Sequence, residues 1–397
     1  MILHVACLPF PSHQGTQAAI DAMLSASVDS DPSTHLLTYS HGAYPRVTAY
    51  GHHRIPDFPK VRSLRSGPSW GKVALDARGV ASIRDLARRL QPRAIVAHHI
   101  EAAATSLAAQ VAPVHYFAHT SLSHELPVYF PRVAGRAISA IGSTLERSVC
   151  ARAAGVAAVA PSLANLLPNA SYIPVPWSHS AERSHRHEAR AALGLPLDAR
   201  VCLYAGNLDR YQGWEDLFDA LTRLRRIVPG ARLLVATVSD VGPARRAARI
   251  RGIENAVDFR ALSSERARIE AHAAADIAWV PRRTTGGLPI KMLDAFAREL
   301  PVVAQERAAA GLPVAGACAV VGNDDPHELA AEAARLFADP RAARGLRERA
   351  SAYLRAHHST AAYLHAMRSW LGAANPSRTE ARRRVPHPRA ERGLPAR

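Results

Sequence analysis

Four cysteines in 397 residues, at positions 7, 150, 202 and 318, are too few and too scattered for a disulfide framework, and no C-x-x-C spacing offers a zinc or redox site. Cys7, Cys202 and Cys318 sit in apolar runs, where cysteine packs as a small hydrophobe, so buried free thiols in a reducing cytosol are expected. Long apolar runs are also missing: each is broken by His, Arg or Gly before it could cross a bilayer. The opening Met1–Pro9 lacks the basic segment of a secretory signal and runs into Pro-Phe-Pro-Ser, which predicts a cytoplasmic protein. Aromatics are 6% of the chain and do not interleave with a basic patch, so no nucleic-acid partner is expected. G-x-G-x-x-G is absent, which argues against a dinucleotide cofactor.

What the chain does have is ordinary globular composition, 48% hydrophobic and 21% charged, with a formal net charge of +17. Seven arginines against two glutamates after Asn375 supply +5 of that charge, leaving about +12 on the rest. A basic surface suits phosphorylated ligands, lipid head groups or nucleic acid. A genomic preference for Ala and Arg over Lys explains it equally well.

Short apolar runs alternate with helical stretches through the first half. Ile2–Leu8, His35–Tyr39, Ala94–Ala97, Val114–Phe117 and Val156–Val159 read as strands. Gln17–Ala26, Trp70–Leu90, Glu101–Gln110 and Ile138–Arg152 read as helices between them. Two prolines at Pro174 and Pro176, then a polar run from Ser178 to Arg190, mark a linker. The pattern then restarts with strands at Val201–Gly206, Arg232–Thr237, Val257–Phe259, Asp276–Val280, Pro301–Ala304 and Ala317–Val321, and three closing helices from Pro326, Pro340 and Ser359. Strands alternating with helices imply parallel sheets covered on both faces. The expected fold is α/β, two Rossmann-like doubly wound domains facing across a cleft. Residues 1–177 form the first, 178–357 the second, 358–372 a closing helix that returns to the first, and 373–397 a disordered basic tail. Ligands of such sheets bind beyond the carboxyl ends of the strands.

The loop after Val280 carries the strongest chemical signal. Gly286-Gly287 lets backbone approach a ligand, and a helix N-terminus comes next at Leu288-Pro289-Ile290-Lys291. Lysine in a helix's first turn is disfavoured by the dipole unless an anion lies nearby, which points to a diphosphate. Asp294, one turn on, shares the face of Lys291 and offers a carboxylate to ribose hydroxyls; the alternative is a surface Lys–Asp pair.

This stretch resembles the donor signature of glycosyltransferase family 4, retaining enzymes of the GT-B fold. That signature has two glutamates with seven residues between them, then an apolar helix and a Pro-Val-Val strand. Asp294 stands at the second glutamate, Ala295–Val303 fits the apolar helix and the strand, and Gly286 departs at the first glutamate. Pro289-Ile290-Lys291-Met292-Leu293-Asp294 is similar to the branch carrying Pro-x-Lys-x-x-Glu. In Tyr204–Leu217 the family commonly places Gly-Arg-Leu and Lys-Gly on the donor diphosphate; here Gly206 is followed by Asn207, and Gln212 precedes Gly213, so Arg210 or Lys291 would supply the missing cation. The resemblance assigns His119, just past the strand Val114–Phe117, to the transferred sugar; His98, His99 and Glu101 are rivals from residues alone. It also matches the first loop, His13-Gln14-Gly15-Thr16, to acceptor or phosphate contact. The implied function is transfer of a sugar from a nucleoside diphosphate to an acceptor hydroxyl with retention, with no metal or cofactor. The departures keep two alternatives open, a nucleotide-sugar-binding pseudoenzyme and an epimerase of the same fold. The basic amphipathic stretch Phe130–Arg152 suits the surface of an anionic membrane.

Overall fold

The computed structural model describes residues 1–12, 14–42, 48–57, 64, 67, 69–130, 135–178, 184–285, 287–312, 314 and 316–372. They form two all-parallel sheets. The N-terminal sheet comprises β1 (Ile2–Pro9), β2 (His35–Tyr39), β3 (Gly51–Ile55), β4 (Ala94–His98), β5 (Val114–Ala118), β6 (Gly155–Ala158) and β7 (Ala170–Tyr172), in the order 3-2-1-4-5-6-7. The C-terminal sheet comprises β8 (Arg200–Ala205), β9 (Ala231–Thr237), β10 (Val257–Ala261), β11 (Ile277–Val280), β12 (Val302–Gln305) and β13 (Ala319–Val321), in the order 10-9-8-11-12-13.

The central strands are apolar on both faces because helices cover both sides. Leu3, Val5 and Ala6 of β1 are fully buried, as are Val201 and Cys202 of β8. The helix Trp70–Leu90 shows how local sequence sets the covering layer. Ser69 caps it, its hydroxyl accepting from the Lys72 amide, and Gln91 ends it in the left-handed conformation (φ 49°). Leu75, Gly79, Ile83 and Leu86 form the buried stripe between those ends.

β3 and β7 were not expected. Both are sheet edges, half-exposed and short, so they lack the apolar run that marks the inner strands. The polar run read as linker also differs, since it contains the helix Arg186–Leu193. Arg190 is fully buried there, donating to the carbonyls of Ala274 (2.9 Å) and Leu197 (2.6 Å) and to the Asp276 carboxylate (2.9 Å). A charge that goes inside with its partners is indistinguishable in sequence from one left in water.

Helices make one of the contacts between the lobes. The helix Gly15–Val28 packs on the helix Ile290–Ala297, and Ile290, Leu293 and Phe296 join the same apolar core as Leu3 and Ile20. At the crossing of the chain, Trp177 N donates to the His358 carbonyl (2.8 Å) and His358 Nδ1 lies 2.7 Å from the Val175 carbonyl. The helix Thr360–Gly372 then lies on the N-terminal lobe. Trp370 Nε1 donates to the Val156 carbonyl (3.1 Å), and its ring meets His115 and Phe117 edge-on. The expected basic tail, 373–397, lies outside the described residues.

Candidate active site

Each sheet reverses its strand order once, between β1 and β4 and between β8 and β11. The carboxyl ends at both reversals open into one cleft, where loops diverge to either side and leave room for a ligand. From the N-terminal lobe, Gln14, Gly15, Thr16, Lys72, His99, Glu101, His119 and Glu125 line it; from the C-terminal lobe, Gly206, Asn207, Tyr211, Gln212, Arg268, Arg282, Leu288, Lys291 and Asp294 do. An antiparallel bridge between Thr120 and Gly287 joins the two sides. Three helices, starting at Gly15, His99 and Ile290, turn their first residues toward this space without a side-chain cap on their amides.

Lys291 and Asp294 both face the cleft, but not as a pair. Lys291 Nζ donates to Gln212 Oε1 (2.6 Å) and lies 4.4 Å from the centroid of the Tyr204 ring. Burial, reinforced by the nearby Arg282 charge, pushes its ammonium well below the ordinary lysine range. Arg282 is 7% exposed. Its backbone amide donates to Gln305 Oε1 (2.9 Å), a guanidinium nitrogen reaches the Gly287 carbonyl (3.4 Å), and its Nε has no partner. The neighbouring Arg283 is engaged by Asp216 (2.6 Å), whereas among the described residues no carboxylate forms such a pair with Arg282 or Lys291. Two cations side by side, Arg282 buried and Lys291 half-buried, with Glu125 and Asp209 only partly offsetting their charge, cost free energy, which an incoming anion would recover.

Gly287 is required by close approach. A Cβ there would stand 2.9 Å from an Arg282 guanidinium nitrogen and 3.1 Å from the His119 carbonyl. Gly206 has Lys291 Nζ 3.4 Å from where its Cβ would be, so a side chain would fill the space beside the ammonium. Asn207 Oδ1 is buried without a partner next to them.

Asp294 is 4% exposed and already engaged. Arg268 donates to Oδ2 (3.0 Å) and Arg298 to Oδ1 (3.2 Å), while His272 Nε2 lies 3.7 Å away. Burial raises its pKa, but the positive potential of His272, Arg268 and Arg298 outweighs burial and holds the carboxyl below its ordinary value.

On the opposite wall His119 is 4% exposed, with Nε2 3.0 Å from His98 Nδ1 and its ring stacked on His99 at 5.0 Å. Of the rival residues, His98 is buried behind it, while His99 and Glu101 join it along the cleft. Glu125 was not singled out from sequence. Burial, then repulsion from Glu101, raises its carboxyl to about 7.

Arg210 is exposed on the short turn Arg210–Gln212 and does not line the cleft, so it does not replace the missing cation. Arg282 is the cation that sequence reasoning passed over. Its signal was its position two residues past β11, at a strand's carboxyl end. His13 and Gly286 lie outside the described residues.

Residues 199–339 match the family model described as Glycosyl transferases group 1. Over 214 residues the chain is 29% identical to the D-inositol 3-phosphate glycosyltransferase of Mycolicibacterium smegmatis, covering 52% of this chain and 47% of that protein. The enzyme of that description from Corynebacterium aurimucosum is 31% identical over 134 residues, 32% of this chain and 31% of its own. The chain thus spans less than half the length of these curated relatives. Among solved structures, sucrose-phosphate synthase from Thermosynechococcus elongatus superposes with a TM-score of 0.78 at 18% identity, covering 94% of this chain and 100% of that one. HepE of Anabaena in complex with UDP-glucose superposes with a TM-score of 0.73 at 15% identity, covering 94% and 99%. The fold is therefore GT-B, and its C-terminal lobe carries the glycosyl transferases group 1 match.

Proposed function

We propose that this chain is a glycosyltransferase of family 4 type, moving a sugar from a nucleoside-diphosphate donor to an acceptor hydroxyl with retention. The observation that carries this reading is the pair Arg282, buried, and Lys291, half-buried, beside a helix N-terminus and in no ion pair with a carboxylate among the described residues. A diphosphate there meets two charge-assisted donors and the helix dipole, all aimed at the charge that grows as the nucleotide leaves. Gln212 holds Lys291 in place, and Asn207 adds a neutral contact. Asp294 orients Arg268, which lines the donor side of the cleft. His119 faces the sugar from the other lobe, and the acceptor enters between it and Glu101 and Glu125. Neighbours of this fold include one solved in complex with UDP and glucose, which supports a UDP-linked donor.

A thermal-shift screen with UDP, GDP, ADP and their sugars tests the reading. One nucleoside diphosphate should stabilise the chain by about 2.7 kcal/mol at 100-fold excess over its Kd. No response to any of them sinks the proposal. A response to UDP with no turnover of any donor sugar would leave a binding protein instead.

We also propose that the N-terminal lobe rests on an anionic membrane. No helix among the described residues is long and apolar enough to cross a membrane. The helix Gly135–Arg152, however, exposes Ile141 and Leu145 to 53% and 51%, close to exposed Arg136 and Arg147. Phosphatidylglycerol vesicles should sediment the protein, and phosphatidylcholine vesicles should not. Equal recovery on both, or on neither, contradicts it.

A further inference from the structure

Behind the cleft three histidines are bonded in series. His4 Nδ1 lies 3.0 Å from His98 Nε2, and His98 Nδ1 lies 3.0 Å from His119 Nε2. All three are deeply buried, at 2%, 1% and 4% exposure. The chain runs along one face of the sheet, from β1 through the end of β4 to the loop after β5, with Phe117 packed against His98 and His119. Burial holds each imidazole neutral, His4 down to about 4 and the other two well below the ordinary range.

Neutrality makes the three rings a single variable. A neutral imidazole carries one N–H and one bare nitrogen. Each N···N contact needs one donor and one acceptor. If His119 donates from Nε2, His98 accepts at Nδ1, so its proton is on Nε2 and it donates to His4 Nδ1. If His119 accepts at Nε2, every proton moves to the other nitrogen. Mixed arrangements break a buried hydrogen bond. The two N···N contacts therefore tie all three protons to the same ring nitrogen.

We propose that His4 and His98 are positioning residues that lock His119 in a single tautomer, so that its Nδ1 offers one fixed hydrogen-bonding role to a hydroxyl in the cleft. The role of that hydroxyl as part of a sugar rests on the transferase reading; the tautomer does not. The stacked His99 works in the same sense, because a second positive ring against His119 would be repelled.

The first test is two-bond 1H–15N spectroscopy of the unliganded full chain with labelled histidine. His4, His98 and His119 should all carry their proton on the same ring nitrogen at neutral pH. Different tautomers among the three, or a mixture of tautomers at His119, overturns the proposal. The second compares His98→Phe with His98→Gln. A glutamine amide can donate to one of the two neighbouring rings and accept from the other, as the native ring does, and phenylalanine can do neither. His98→Phe should mix the His119 tautomers and slow UDP-glucose hydrolysis about tenfold in kcat, the kinetic weight of roughly one hydrogen bond, with KM unchanged. His98→Gln should restore both. A native tautomer and native kcat in His98→Phe, or a His98→Gln as impaired as the phenylalanine variant, overturns it. If the wild-type chain hydrolyses no UDP-glucose, the UDP-linked donor is lost, and the spectra alone still decide the histidine chain.

Discussion

Arg282→Ala is expected to weaken UDP binding by roughly 10–100-fold, and Lys291→Ala by a similar factor, because each deletes a charge-assisted hydrogen bond of about 1.5–3 kcal/mol. Both variants should be at least as stable as the parent when unliganded. Arg282 and Lys291 repel one another and, among the described residues, neither is in an ion pair with a carboxylate, so removing either relieves that repulsion. A loss of ligand response without loss of stability is the mark of a site kept for function. Calorimetry adds a sign. Burial lowers the Lys291 pKa in the free fold, so a bound diphosphate raises it again and UDP binding takes up protons. Affinity should fall as pH rises through the interval between the free and bound values. In the unliganded chain the same group binds fewer protons folded than unfolded, so its contribution makes stability rise with pH between its lowered value and the ordinary lysine value. Binding heats that are identical in buffers of different ionisation enthalpy would contradict this.

Asp294→Ala should act mainly on folding. Its carboxylate is what Arg268 and Arg298 share, and alanine leaves both guanidiniums without it in a setting where Asp294 is 4% exposed. Breaking such a buried pair costs about 3–5 kcal/mol. Asp294→Asn keeps an acceptor oxygen and should lose clearly less. Urea unfolding of the two variants checks this, and an alanine variant as stable as the parent would show that the ion cluster contributes nothing to stability. A loss of nucleotide response in Asp294→Ala therefore reports stability first, and the asparagine variant is the one that reports the donor site.

The architecture was legible wherever apolar runs were continuous. β8 and β11 are buried on both faces and read as hydrophobic segments, as does β1 with a single break at His4, and the helix Trp70–Leu90 is bounded by residues that cap and terminate it. The edge strands β3 and β7 were not legible, because half-exposed strands need no apolar run. The helix Glu265–Ala274 escaped for a related reason. Its sequence, ERARIEAHAA, has a weak apolar stripe, since Arg268 and His272 turn inward to Asp294. In the site, Lys291 and Gly287 could be found because each breaks a local rule: a cation at a helix start, and a glycine where backbone comes close. Arg282 breaks no local rule. Its burial is a tertiary fact, set by the loop after β11 folding back under Gly287. The histidine series is invisible for the same reason, since His4 and His98 are 94 residues apart and meet only through strand pairing between β1 and β4.

A structure of the full chain crystallised with UDP tests the central claim most directly. The diphosphate should lie at the N-terminus of the helix Ile290–Ala297, with its oxygens within hydrogen-bond distance of both the Arg282 guanidinium and Lys291 Nζ. UDP bound anywhere else, or bound in the cleft while those two side chains keep only their present protein partners, would contradict it.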